Sequence, residues 1–199
     1  GATEHPAVME CAESLRAATV SVAPIAVGAD GQLTADHMRA HLAAAPKMSG
    51  PVLVSLMAAN NETGVILDLP PIADAVHAAG ALLHVDAVQA LGKIPMDVAA
   101  WGADFISLSS HKLYGPKGVG ALLRRAPVEL HPLHHGGAQE GGVRGGTENV
   151  PAIVGFGAAA RLAQAQLAAR SAQLRALRDR LEAGLRLRAD VTVFAADAP

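Results

Sequence analysis

Short apolar runs alternate with segments of helical spacing between residues 19 and 124, and this alternation restricts the chain more than any other feature. Residues 19–27 (TVSVAPIAV), 51–57 (PVLVSLM) and 81–85 (ALLHV) read as buried strands. Between them, Thr34 caps a helix reaching about Ala44, and Pro70-Pro71 opens another that stops at Gly80. Strand, helix, strand, helix, strand predicts a parallel sheet with right-handed crossovers. Two more strands are expected at 104–109 (DFISLS) and 118–124 (GVGALLR). The expected class is α/β, a mostly parallel sheet with helices on both faces. In open sheets of this kind ligands lie beyond the carboxyl ends of the strands, so residues at those ends are the first suspects.

From Pro151 the texture changes. Leu167, Leu174, Leu177, Leu181 and Leu185 fall at helical spacing, which predicts one long amphipathic helix ending near Arg188. Its seven Arg against Asp179, Glu182 and Asp190 read as a solvated helix surface. VTVF at 191–194 reads as the first strand of a further unit. The 199 residues suffice for one sizeable core, and 51% hydrophobic content excludes disorder. With only 3% aromatics, that core is built mainly of Ala, Val and Leu. A formal net charge of -2 gives no electrostatic case for nucleic acid. One cysteine, Cys11, excludes a disulfide framework and a multi-cysteine metal cluster, and suits a reducing compartment. No uncharged apolar run approaches the ~20 residues that cross a bilayer, and no N-terminal stretch pairs a basic start with an apolar run. A soluble cytoplasmic enzyme, or a piece of one, is expected, with neither nucleic acid nor membrane as partner.

The chemistry gathers at the strand ends. In the strand closing His84-Val85-Asp86, side-chain alternation puts His84 and Asp86 on one face, with Asp86 at the expected cleft. The next strand closes Ser109-Ser110-His111-Lys112, followed by the rigid turn Tyr114-Gly115-Pro116-Lys117-Gly118. A lysine and an aspartate across one cleft are what pyridoxal phosphate requires: an amine for a Schiff base, and an acid to pair with the pyridinium nitrogen. Ser109, His111 and the backbone donors of Gly-rich turns suit its phosphate. Asn61, within Ala59 to Gly64, and Gln89, just past Asp86, can donate to its phenolate oxygen, and His5 could stack on a ring face. Taken singly, each has an ordinary reading: Asp86 as a helix cap, Asn61 as a turn former, His5 as an exposed or satisfied imidazole, Lys112 as a surface cation. Lys117 lies inside the Gly-Pro turn and reads as a surface or turn contact. His131, His134 and His135 form no metal site, because Pro132 interrupts any regular helix and no carboxylate or cysteine completes the set. Cys11 reads as a small core residue of a helical segment after His5.

Five ordered motifs, EHPAV, NNETG, HVDAVQALGK, SSHKLYGPKGVGAL and HHGGAQEGGVRGGTENVPAIVGFG, carry a family resemblance over essentially the whole chain. With them it resembles the cysteine desulfurases, pyridoxal-phosphate enzymes of the class V aminotransferase group with the fold type I architecture. The resemblance implies that Lys112 carries the cofactor as a Schiff base and that Asp86 holds the pyridine nitrogen. It also implies that His5 stacks on the ring and serves in proton transfer, that Asn61 and Gln89 lie at the phenolate oxygen, and that Ser109 and His111 hold the phosphate. Thr147, in Arg144-Gly145-Gly146-Thr147, would reach the phosphate of the neighbouring subunit of a homodimer. Ala138 and Gly141 stand where the family usually has Gly and Arg.

On this resemblance, residues 1–155 are a cofactor-binding large domain without its first strand, and 156–199 a helix leading into a small domain. The family's first phosphate loop, its mobile catalytic cysteine and the arginine for the substrate carboxylate all fall outside the chain, and Cys11 does not match that cysteine's motif. The chain alone is therefore expected to hold cofactor weakly and not to turn over. The implied reaction converts L-cysteine to L-alanine. The sulfur passes as an enzyme-bound persulfide to an acceptor or scaffold protein, for iron-sulfur cluster assembly or thio-modification. A selenocysteine lyase or another class V enzyme is the alternative, and a non-catalytic scaffold or dimerisation unit is the alternative of another class.

Overall fold

The computed structural model describes residues 1–18, 20–46, 50–125, 128–188, 190–196 and 198. Three short strands, β1 (Leu53–Met57), β2 (Leu82–Asp86) and β3 (Phe105–Ser109), pair in parallel. A fourth, β4 (Gly120–Arg124), pairs antiparallel with β3, giving the order β1-β2-β3-β4. Register sets Met57 beside Asp86 and Asp86 beside Ser107. Alternation along β2 explains the layering, because Leu83 and Val85 are fully buried whereas Leu82, His84 and Asp86 face the other way and are half-buried.

Before the sheet come α1 (Pro6–Ala17) and α2 (Ala35–Ala44), and α3 (Leu69–Ala78) makes the crossover from β1 to β2. Thr34 Oγ1 accepts from the His37 N–H at 3.2 Å and starts α2. Pro70 and Pro71 sit in the first turn of α3, where no intrahelical N–H is needed, and Gly80 closes it at φ +73. Met38 of α2 joins Leu69, Ile72 and Val76 of α3 against Val54, Leu56, Leu83, Val85 and Ile106 of the sheet. Each large side chain buried there stabilises by about 1.5–3 kcal/mol. The link from β2 to β3 contains turns instead of a helix.

After β3 the chain tightens into a 3-10 turn, Ser110–Leu113, and later into a second, kinked one, Gln139–Gly142. Then α4 (Val150–Arg186) runs for 37 residues, with Asn149 Oδ1 capping the Ala152 N–H at 3.2 Å. It lies close against the segments that follow β2 and β3. A Cβ built on Gly155 would come within 2.6 Å of Pro116 Cγ, and one on Gly92 within 2.9 Å of Ala163 Cβ.

Three expectations fail. Thr19 lies outside the described residues, and the rest of the 19–27 run forms no strand. Pro24 removes a ladder donor, and the backbone hydrogen bonds there, Val20 N–H to Leu15 O at 3.2 Å and Ala2 N–H to Ile25 O at 2.8 Å, do not form a ladder. Ile25 is nevertheless buried, so the segment keeps a core role without a strand's pairing. Residues 191–194 form no strand either, and Phe194 is exposed, there being no neighbouring strand to pair with among the described residues. Cys11 is exposed on α1, a helix with no buried residue, so it is not a core residue.

Candidate active site

Two adjacent parallel strands deliver the site. β2 ends in Asp86, and β3, paired with it, ends in Ser109 and leads directly into His111 and Lys112. Asp86 Oδ1 accepts from the Val88 N–H at 2.9 Å, which fixes the carboxylate at the start of the turn that carries half-buried Gln89. The other oxygen has no protein hydrogen-bond partner among the described residues. Ser109 Oγ and His111 Nδ1 are 2.8 Å apart, so these two are brought together across the strand end. Lys112 is exposed, on the 3-10 turn, and among the described residues makes neither an ion pair nor a hydrogen bond.

The close fold of that turn has a cause. Gly115 packs so tightly that a Cβ on it would lie 2.2 Å from the buried Ser110 Oγ and 3.1 Å from Ala159 Cβ of α4. Tyr114, in the left-handed region at φ 64, turns its ring under Arg170 of α4, with the guanidinium 4.7 Å from the ring centroid.

The remaining candidates meet the sheet's end less directly. His5 caps α1, with Nδ1 accepting from the Ala7 N–H at 3.1 Å. It follows Glu4, whose Oε1 accepts from Met57 N–H at 2.9 Å, which joins this segment to the end of β1. Asn61 is exposed in the loop after β1, and its neighbour Asn60 builds that loop. Asn60 Oδ1 accepts from the Glu62 and Thr63 N–H groups, and its Nδ2 donates to Thr3 O at 3.1 Å. The EHP and NNETG segments are thus neighbours. Thr147 is exposed in the loop before α4, and no described hydrogen bond joins it to the other candidates. His131, His134 and His135 are exposed as well, and no group of three metal-ligating side chains occurs among the described residues.

Several groups were not legible as site residues. Glu4 is buried, and burial above all, with Asp86 nearby, pushes its carboxyl up against the opposing pull of Met57 N–H. Lys93, inside the HVDAVQALGK motif, has a buried Nζ without a hydrogen bond among the described residues, and burial first, then repulsion from Lys112 and Arg170, pulls its pKa down. Ser55 and Ser107 flank His84, at 2.8 Å from Nδ1 and 3.0 Å from Nε2. Burial lowers the His84 pKa, with Asp86 opposing. Only the side-chain alternation of the strands hinted at this polar row.

A lysine beyond one parallel strand and an aspartate ending its neighbour agree with a whole-chain match, residues 1–199, to the model of the aminotransferase class-V family. The chain belongs to that family. A cysteine desulfurase of Gluconacetobacter diazotrophicus is 49% identical over 185 residues, covering 92% of this chain and 45% of that protein. The cysteine desulfurase IscS of an Anaeromyxobacter species is 48% identical over the same shares. The X-ray structure of a NifS-like protein from Rickettsia africae superposes with a TM-score of 0.90 at 32% identity, covering all of this chain and 53% of that one. The class V chain therefore spans about half the length of the curated relatives it matches. Pyridoxal phosphate is the cofactor of the class V family, and the residues present fit it. Among the described residues one carboxylate oxygen of Asp86 has no hydrogen-bond partner, the Ser109 hydroxyl and the His111 ring lie together past the end of β3, and the Lys112 amine makes no hydrogen bond or ion pair, a donor set whose chemistry suits a pyridine nitrogen, a phosphate and a Schiff base.

Proposed function

We propose that this chain is the cofactor-binding part of a cysteine desulfurase, which takes L-cysteine, leaves L-alanine, and retains the sulfur as a persulfide on an enzyme cysteine. The observation that carries the reading is that Asp86 ends β2 while Lys112 lies on the turn directly after β3, the parallel neighbour of β2. The desulfurase names of the relatives support the substrate. Bound pyridoxal phosphate would supply an electron sink for the substrate α-carbon. Asp86 would keep a proton on the ring nitrogen, and Ser109 with His111 would hold the phosphate. Asn61 and Gln89 would donate at the phenolate oxygen, and His5 would cover a ring face. Lys112 would anchor the cofactor, give it up to the substrate, and then move protons at the α-carbon. In a homodimer, the partner subunit's Thr147 would reach the same phosphate.

Cys11 is not the proposed nucleophile, since it lies mid-way along α1 in a helix that buries nothing. Residues 1–155 and 156–199 remain the proposed division, although α4 runs through that point unbroken. A cytoplasmic setting and transfer of the sulfur to an acceptor for iron-sulfur assembly belong to the same proposal. Among the described residues no helix is long and apolar enough to cross a membrane. The deciding experiment supplies the full polypeptide with pyridoxal phosphate, L-cysteine and a thiol reductant, and measures sulfide and alanine. Equal yields of both, and loss of visible cofactor absorbance in Lys112→Ala, are expected. An unchanged spectrum in that variant refutes the lysine assignment.

A further inference from the structure

His84 occupies a position that no role at the cofactor explains. Its ring spans three strands on the half-buried face of the sheet, bonded through Nδ1 to Ser55 Oγ of β1 at 2.8 Å and through Nε2 to Ser107 Oγ of β3 at 3.0 Å. Ser107 is the register partner of Asp86 on the adjacent strand. Register partners on parallel strands put their side chains on the same face, within reach of one another. A serine hydroxyl beside a carboxylate normally donates to it, because a charged acceptor makes the stronger hydrogen bond. Here it does not. Ser107 is engaged by His84, and Asp86 has one oxygen bound by Val88 N–H and one without a partner among the described residues.

We propose that His84 is a positioning residue that holds the Ser107 hydroxyl away from Asp86, so that the second carboxylate oxygen stays free for a pyridinium nitrogen. The role rests on the reading of Asp86 given above. It requires a neutral ring with its proton on Nδ1. Nδ1–H then donates to Ser55, Ser107 donates into Nε2, and the single Ser107 proton is unavailable to Asp86. Burial keeps the imidazole neutral near neutral pH against the pull of Asp86. A carboxylate spared that hydrogen bond is the stronger base, and it favours the protonated ring nitrogen.

The test uses the full polypeptide loaded with pyridoxal phosphate labelled with 15N at the ring nitrogen. Long-range proton–nitrogen correlation of the His84 ring is expected to show the proton on Nδ1. His84→Ala should raise the cofactor dissociation constant about tenfold, the scale of one hydrogen bond at a charged group. It should also move the ring-nitrogen shift toward the unprotonated value. Ser107→Ala alone should change affinity less than twofold, and added to His84→Ala it should restore both readouts. A purely structural role for His84 would give a loss that Ser107→Ala does not repair. Thermal melting checks that each variant is folded, and His84→Gln with and without Ser107→Ala replaces the alanine pair if that pair does not fold. A proton on Nε2, an unchanged affinity in the His84 variant, or a loss without rescue overturns the proposal. Asp86→Ala is the separate control. If it leaves cofactor affinity intact, the assignment of Asp86 falls and takes this inference with it, whereas a loss there beside an unaffected His84 variant refutes His84 alone.

Discussion

Asp104 is 1% exposed, and a bare carboxylate in that position would be driven toward its neutral form. Burial does push it up, but three partners outweigh that cost and hold it below the usual carboxylate range: the Leu83 N–H at 2.8 Å, His77 Nε2 at 3.0 Å and Arg125 Nη2 at 2.5 Å. A folded-state pKa below the unfolded one means that Asp104 contributes stability above about pH 3.9, and that this is lost as pH falls through the folded value. Asp104→Asn should therefore cost about 2 kcal/mol in urea unfolding at neutral pH. Its stability should also fall less steeply than that of the parent as pH drops below about 4. An unaltered acid limb would refute the assignment. The places of Asp86, Ser109, His111 and Lys112 at or just past the strand ends were legible in the sequence, because strand alternation and turn signals act locally. Glu4, Lys93 and Asp104 were not, because what distinguishes them is burial by segments far away in the chain.

At the level of elements, the turn after β3 depends on a missing side chain. Gly115→Ala would set a Cβ 2.2 Å from Ser110 Oγ, with Ala159 and the Ser110 carbonyl closing the remaining space. We expect a loss of about 1–3 kcal/mol, as for other overpacked sites, read as a lower melting temperature. Adding Ser110→Ala should recover part of it, since the closest clash is with that hydroxyl, and no recovery would mean that the turn fails for another reason. Strand and helix positions in the middle of the chain were readable from apolar period and from Thr34, Pro70 and Gly80, all local signals. The 19–27 and 191–194 runs misled for the complementary reason. A strand exists only where a neighbour pairs with it, and β-branched composition carries no information about that neighbour. The antiparallel direction of β4 was hidden in the same way.

For the whole molecule, protection is unevenly distributed. β1, β2 and β3 share their buried face with α2 and α3, whereas all five residues of β4 are exposed and α1 buries none. Hydrogen exchange should therefore find the amides of β2 and α3 slowest, and those of α1 and β4 among the first to exchange. Equal protection of α1 and β2 would show that the central layer is not the stable unit. α4 meets the rest of the chain through Gly155, Ala159, Ala163 and Arg170, and beyond Arg170 its leucines 174, 177, 181 and 185 stand exposed. From Arg170 to Arg186 the helix projects about 24 Å, so a tilt of about 10° at its fulcrum swings the tip by about 4 Å. The fulcrum at Arg170 lies over Tyr114, on the turn that follows Lys112. A tilt of a few degrees beside the lysine's turn would thus move the far end of the helix by ångströms, and a load on that end would reach the turn through Tyr114.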